Sequence, residues 1–93
     1  MRHDYEMGLT RADFLRLLPM AVGDAPFRVE GDEIASAGGS PAWRIRLREC
    51  PPRAFGPVAL PVLAVGLSVD GAAEADARKF VARFLLGFQR AGG

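Results

Sequence analysis

The chain is poor in the residues that most often carry chemistry. It has one cysteine, Cys50, one histidine, His3, and one lysine, Lys79, among 93 residues. One cysteine excludes an intramolecular disulfide and any paired-cysteine metal site, and it fits a reducing compartment. One histidine, three residues from the amino end, leaves a Ser-His-Asp or Cys-His arrangement dependent on that terminal segment folding back onto a nucleophile. Long apolar runs are also missing. The longest uncharged stretch, residues 54–69, is broken by Gly56, Pro57, Pro61 and Gly66 and falls short of the ~20 residues a membrane helix needs. The first residues, Met1-Arg2-His3-Asp4-Tyr5-Glu6, have no apolar centre and do not read as a signal peptide. A cytoplasmic protein that does not enter a membrane is the expectation.

Charge of one sign is missing too. Twelve basic residues stand against eleven acidic ones, a net charge of +1, which argues against a dedicated polyanion binder. Eleven of the twelve cations are arginine, a preference that coding bias alone accounts for. An apolar content of 49% is ordinary for a globular chain, and this length makes a single domain with little chain to spare for an internal cavity. A binding surface is the more natural expectation than an enclosed active site.

What is present is alternation. In Ala42-Trp43-Arg44-Ile45-Arg46-Leu47-Arg48-Glu49 three arginines alternate with Trp43, Ile45 and Leu47. Period two places successive side chains on opposite faces, so this segment reads as a half-buried strand with an arginine ladder on its open side. Upstream, Phe27–Glu30 and Glu33–Ser36 flank Gly31-Asp32, a two-residue connection suited to a type II′ turn. This register pairs Val29 with Ile34. A second hairpin through Gly38-Gly39-Ser40-Pro41 sets Ser36 opposite Trp43, Ile34 opposite Ile45, Ala35 opposite Arg44 and Glu33 opposite Arg46. Both registers keep the large apolar side chains on one face and set a carboxylate against an arginine on the other.

A break at Cys50-Pro51-Pro52 and a loop over residues 53–57 are expected next, followed by a strand from Val58 to Val69. There Leu63, Val65, Leu67 and Val69 share the core face, while Val62, Ala64, Gly66 and Ser68 join the arginines. Pro61 implies an edge position or a bulge. Thr10 reads as a helix N-cap ahead of Phe14, Leu15, Leu17 and Leu18, with Pro19 ending the helix. Asp70 reads as the cap of a second helix from about Ala72 to Arg90, with Ala73, Ala77, Phe80, Val81, Phe84 and Phe88 on its buried stripe and Glu74 spaced to pair with Arg78. Residues 2–7 alternate weakly, as a short first strand would, and 91–93 read as a disordered tail.

The expected fold is α+β: an antiparallel meander of four or five strands with two helices on one face, in the order (β)-α-β-β-β-β-α. That order resembles the half-repeat of TATA-binding-protein-like (TBP-like) folds and the helix-grip folds. The resemblance is one of topology, rests on no motif and transfers no functional residue.

No catalytic constellation emerges, and no metal or cofactor is expected. Gly38-Gly39-Ser40 lacks the lysine and helix start of a phosphate loop. An amino-terminal X-X-His can take Cu(II) or Ni(II) through backbone nitrogens, a property of any such chain. Cys50 reads as a small residue ending a strand. Glu30 and Glu33, opposite in the first hairpin, read as an ion-pair network with Arg28, Arg46 and Arg48 rather than as an acid–base pair. The candidate binding residues are therefore Arg44, Arg46, Arg48, Arg28, Glu30 and Glu33, beside a candidate interface strip of Val62, Ala64, Gly66 and Ser68. The expected function is a non-catalytic interaction or accessory domain that meets a protein partner, or itself as a homodimer, through the open sheet face and the edge of residues 58–69. The alternatives are single-stranded nucleic acid on Arg44, Arg46 and Arg48, disfavoured by net charge, and a small anionic ligand.

Overall fold

The computed structural model describes residues 1–71 and 73–92. Its elements are β1 (Arg2–Met7), α1 (Arg11–Ala21), β2 (Phe27–Glu30), β3 (Glu33–Ser36), β4 (Ala42–Phe55), β5 (Val58–Asp70) and α2 (Glu74–Gly92). The strands form one five-stranded antiparallel sheet in the order β1-β5-β4-β3-β2. Strands β2 to β5 are a meander, and β1 closes the far side of β5.

Alternation decides the faces. Val29 pairs with Ile34, Ile34 with Ile45 and Ile45 with Leu67, so the large apolar residues line up across the sheet. Trp43, Ile45, Leu47, Leu63, Val65, Leu67 and Val69 are all buried, and both helices cover them. Phe14, Leu17 and Leu18 come from α1, with Leu15 partly buried; Ala77, Val81, Phe84 and Phe88 come from α2, with Phe80 partly buried. The aromatic rings interlock: Phe14 stacks on Phe88 at 4.7 Å between centroids, Phe84 meets Phe88 edge-on at 5.0 Å, and Phe80 stacks over Trp43 at 6.0 Å. Such pairs add about 0.5–1.5 kcal/mol each beyond their burial.

Local chemistry agrees at the turns. Gly31, at φ 61°, takes the positive φ that the first central residue of a type II′ turn requires. Thr10 Oγ1 accepts from the Asp13 amide at 3.1 Å, as an N-cap should. Arg78 donates to Glu74 at 2.7 Å one helical turn away. In the second hairpin the ladder stops at Ala35↔Arg44. Beyond it the Trp43 amide donates to Ser36 Oγ at 3.0 Å, so a hydroxyl replaces the backbone pairing expected between these two residues.

Five expectations are corrected. Pro19 does not end α1 but lies inside it. The helix stops at a Schellman motif: the Asp24 amide donates to Pro19 O at 2.8 Å and the Gly23 amide to Met20 O at 3.1 Å, with Gly23 at φ 67°. Burial of Leu18, Ala21 and Val22 outweighs the amide that proline lacks. Asp70 is the last residue of β5, opposite Ala42, and α2 opens at Glu74 behind an exposed Ala73. The expected helix start at Ala72 lies outside the described residues. At the other end α2 takes in residues 91 and 92 of the expected tail, and Gly93 lies outside the described residues.

The fourth correction is larger. Residues 50–52 are not a break and 53–55 are not a loop: β4 continues through Pro51 and Pro52 by a register shift between Cys50 and Arg53, then pairs Arg53 with Leu60, Ala54 with Ala59 and Phe55 with Val58. One extra residue in β4 makes this a bulge, which the paired prolines accommodate because neither has an amide to give the ladder. Fifth, β5 is an edge strand only at its start, where Pro61 has the edge position expected of it. Strand β1 covers it from Leu63 to Ser68, and only its first residues, 58–62, pair on one side alone. The result is a two-stranded arm reaching beyond the helices, on a molecule 46 Å long against 25 and 21 Å.

Two substitutions test this packing. Phe84 is fully buried among Phe14, Tyr5, Phe80 and Phe88; Phe84→Ala is expected to cost about 3–5 kcal/mol in denaturant unfolding. Gly87 marks the closest approach of the helices, where a Cβ would stand 2.7 Å from Ala21 Cα and 2.9 Å from its Cβ. Alanine normally stabilises a helix by about 1 kcal/mol over glycine. Here the clash with backbone dominates, and Gly87→Ala is expected to lower stability by about 1–2 kcal/mol instead.

Candidate functional site: the open face of the sheet

The face turned away from the helices can be laid out from the registers. At its first level, across the strands, lie Arg2, Ser68, Arg44, Ala35 and Arg28. The next level carries Asp4, Gly66, Arg46, Glu33 and Glu30, and the third Glu6, Ala64 and Arg48. The arm continues the same face with Val62 beside Cys50, Leu60 beside Arg53 and Val58 beside Phe55. Every candidate side chain expected on this face is therefore there, and one surface brings them together.

Electrostatically the face is mixed. Arg46 is bonded to Glu33 at 2.7 Å, Arg2 to Asp4 at 3.5 Å and Arg53 to Glu6 at 3.5 Å. The Glu30–Glu33 juxtaposition is real, and Glu33 relieves it by turning onto Arg46. Among the described residues Arg28, Arg44 and Arg48 have no carboxylate within salt-bridge distance. An open depression of about 500 Å³ lies over Ala64 and Gly66 between Arg46, Arg48 and the β1 residues Arg2, Asp4 and Glu6. Gly66 makes the floor low: the Asp4 carboxylate and Arg2 guanidinium lean over the place where its side chain would be, at 3.3 and 3.7 Å.

Three features of this face escaped the sequence reading. The acids Asp4 and Glu6 come from β1, which is distant in sequence and reaches the site through its pairing with β5. Arg53 joins them through the bulge. Phe55, Val58 and Leu60 stand 57, 52 and 46% exposed on the arm, the largest apolar exposure on the sheet. The even-numbered series 58, 60, 62, 64, 66 and 68 held a signal for the last of these, since it runs unbroken along one strand.

The chain's one histidine and one cysteine lie on opposite faces of the sheet. His3 sits on the core face, its ring stacked on Tyr5 at 6.1 Å, with Nε2 buried and without a hydrogen-bond partner among the described residues. The Met1 amine donates to Val69 O, so the amino end is spent on strand pairing rather than arranged around His3 as a copper or nickel chelate. Cys50 Sγ donates to Arg48 O at 3.7 Å on the open face. No group of three His, Cys, Asp or Glu residues gathers in metal-binding geometry among the described residues. No described helix is long and apolar enough to cross a membrane. The arrangement offers contact and charge matching. Comparison with known protein families, curated proteins and solved structures gives no match to this chain.

Burial against the sheet pushes the Tyr5 phenol above its usual value of 10.0 by disfavouring the phenolate. The neutral form is the one the fold favours. Its stabilisation is complete below the unfolded value of about 10 and is lost as pH rises through the folded value. With a single tyrosine in the chain, ultraviolet titration of the phenolate is expected to show a midpoint above 10, and Tyr5→Phe to flatten the loss of stability at alkaline pH.

Proposed function

We propose that this domain is a non-catalytic interaction module that docks a protein partner through the open face of its sheet. The observation that carries this reading is the continuity of that face. An apolar arm surface of Phe55, Val58 and Leu60 runs without a step into the low floor of Val62, Ala64, Gly66 and Ser68. Exposed apolar surface flanked by charges of both signs is the composition of a protein interface, where the apolar part supplies affinity and the rim supplies register.

Two rival ligands fit less well. A single nucleic acid strand wants a basic groove with several stacking platforms. Here Asp4, Glu6, Glu30 and Glu33 interrupt the arginines, and Phe55 is the one aromatic ring on the face among the described residues. A small anion wants converging donors in an enclosed site, whereas the depression over Gly66 is wide and two of its walls are acidic.

The test compares capture of proteins from a cell extract by the wild type and by the triple variant Arg44→Gln, Arg46→Gln, Arg48→Gln. All three side chains point away from the core, so the fold is expected to persist in circular dichroism. Proteins retained by the wild type and lost by the triple variant are the expected result. Binding of a random single-stranded oligonucleotide at physiological salt is expected to be negligible. Tight, steeply salt-dependent oligonucleotide binding would favour the nucleic-acid rival instead, and equal capture by both proteins would remove the open face as the docking site.

A further inference from the structure

We infer that the occupant of the open face is a second copy of this chain, the two sheets stacking face to face about a two-fold axis that runs parallel to the strands between β4 and β5. This rests on the docking role proposed above and names the partner. Strand addition at the edges of the arm is hindered, since Pro51 and Pro52 in β4 and Pro61 in β5 have no amide to donate. What the arm has left to offer is its open face, with Phe55, Val58 and Leu60.

A closed dimer requires a self-complementary surface. Rotation about the stated axis keeps each level of the face and exchanges the columns of β4 and β5. Arg46 of one copy then lies over Gly66 of the other, Arg48 over Ala64, Cys50 over Val62 and Phe55 over Val58. Long side chains meet short ones along the arginine ladder, and apolar meets apolar along the arm. Arg48, which has no carboxylate partner of its own among the described residues, comes beside Glu6 of the second copy, because Glu6 flanks Ala64 on β1, and there it shares that carboxylate with Arg53. Two levels are less favourable: Asp4 of one copy comes over Glu33 of the other, with Arg46 beside both, and Arg44 lies over Ser68 beside an Arg2 that Asp4 already holds. An axis across the strands serves worse: set between the first two levels, it puts Arg44 over Arg46 and leaves both arms uncovered.

Size agrees. The 13 residues of β5 and their partners in β4, with the paired parts of β1 and β3, cover roughly 550 Å² per copy at a rise of ~3.3 Å and a strand spacing of ~4.8 Å. Two copies bury on the order of 1,100 Å² before side-chain relief is counted, above the ~1,000 Å² that a specific interface needs. The arm face alone, roughly 160 Å² by the same spacings, is far too small. Aligned stacking of two twisted sheets is the ordinary geometry of a β-sandwich.

The test is a charge exchange read by sedimentation equilibrium, under reducing conditions, from low micromolar to near millimolar protein. The wild type is expected to pass from monomer to dimer. Glu6→Arg sets two arginines together at each Arg48 contact, and Arg48→Glu sets two glutamates together; each is expected to weaken dimerisation about tenfold or more. An equimolar mixture of the two variants restores both contacts and is expected to recover a heterodimer. Phe55→Asp, far from the core, is expected to give a folded monomer, which keeps the test open if a charge variant misfolds. A wild type that stays monomeric throughout, a dimer that survives all three changes, or two folded charge variants whose mixture stays monomeric would each overturn the inference. Extract capture by the open face is a separate readout, so a monomeric wild type that still captures proteins would leave the docking role standing.

Discussion

Pairing Ile45 with Leu67 across β4 and β5 sets the side that every other residue takes. Side chains alternate with a period of two, so a slip of one residue would carry Trp43, Ile45 and Leu47 into water and bring three arginines under the helices. The same pairing places Arg44, Arg46 and Arg48 beside Ser68, Gly66 and Ala64. Core and open face are thus two consequences of one register. The helices follow from it, because the apolar stripes of α1 and α2 have one apolar sheet surface to cover. Gly87 lets both fit there by bringing α2 against Ala21.

Helix cover on one side leaves the other side of a five-stranded sheet in water. Antiparallel sheets tolerate this when the outer face is polar, and at the levels of Arg44 and Arg46 it is. Along the arm it is not. Phe55, Val58 and Leu60 lie beyond the reach of either helix. The arm adds little to the core, yet the chain spends residues 51–62 on it and fits it with prolines on both strands. Those prolines make sense for a segment that must stay paired with itself while leaving its face free.

Most of the fold was legible in the sequence wherever two independent patterns agreed. The hairpin through Gly31-Asp32 and the register of β3 on β4 were each fixed by turn chemistry and by apolar alternation at once, and both match the structure. Where one rule spoke alone it misled. Pro19 invites a helix end, but neither a missing amide nor a crowded ring outweighs the burial of Leu18 and Ala21. Cys50-Pro51-Pro52 invites a break, yet a bulge lets the strand absorb an extra residue and continue. Asp70 invites a cap, but β5 runs far enough to claim it. In each case a tertiary contact unseen in local sequence decided the outcome. The candidate site divides in the same way: its arginines and small residues stand in one alternating run each, while Asp4, Glu6 and Arg53 reach it only through long-range pairing.

That division bears on how such a face works. Of the β4 arginines, Arg46 is held by Glu33 across the next strand and Arg53 by Glu6 of β1, while Arg44 and Arg48 have no carboxylate within salt-bridge distance among the described residues. Exposed pairs of this kind contribute little to stability, so the pattern cannot be explained as holding the fold together. Under the proposed docking, removal of water from the face lets unlike charges stabilise one alignment and like charges penalise the others. A surface whose apolar part is too short to specify an alignment, and whose charges are too exposed to stabilise a monomer, gains from both features at once when it is covered.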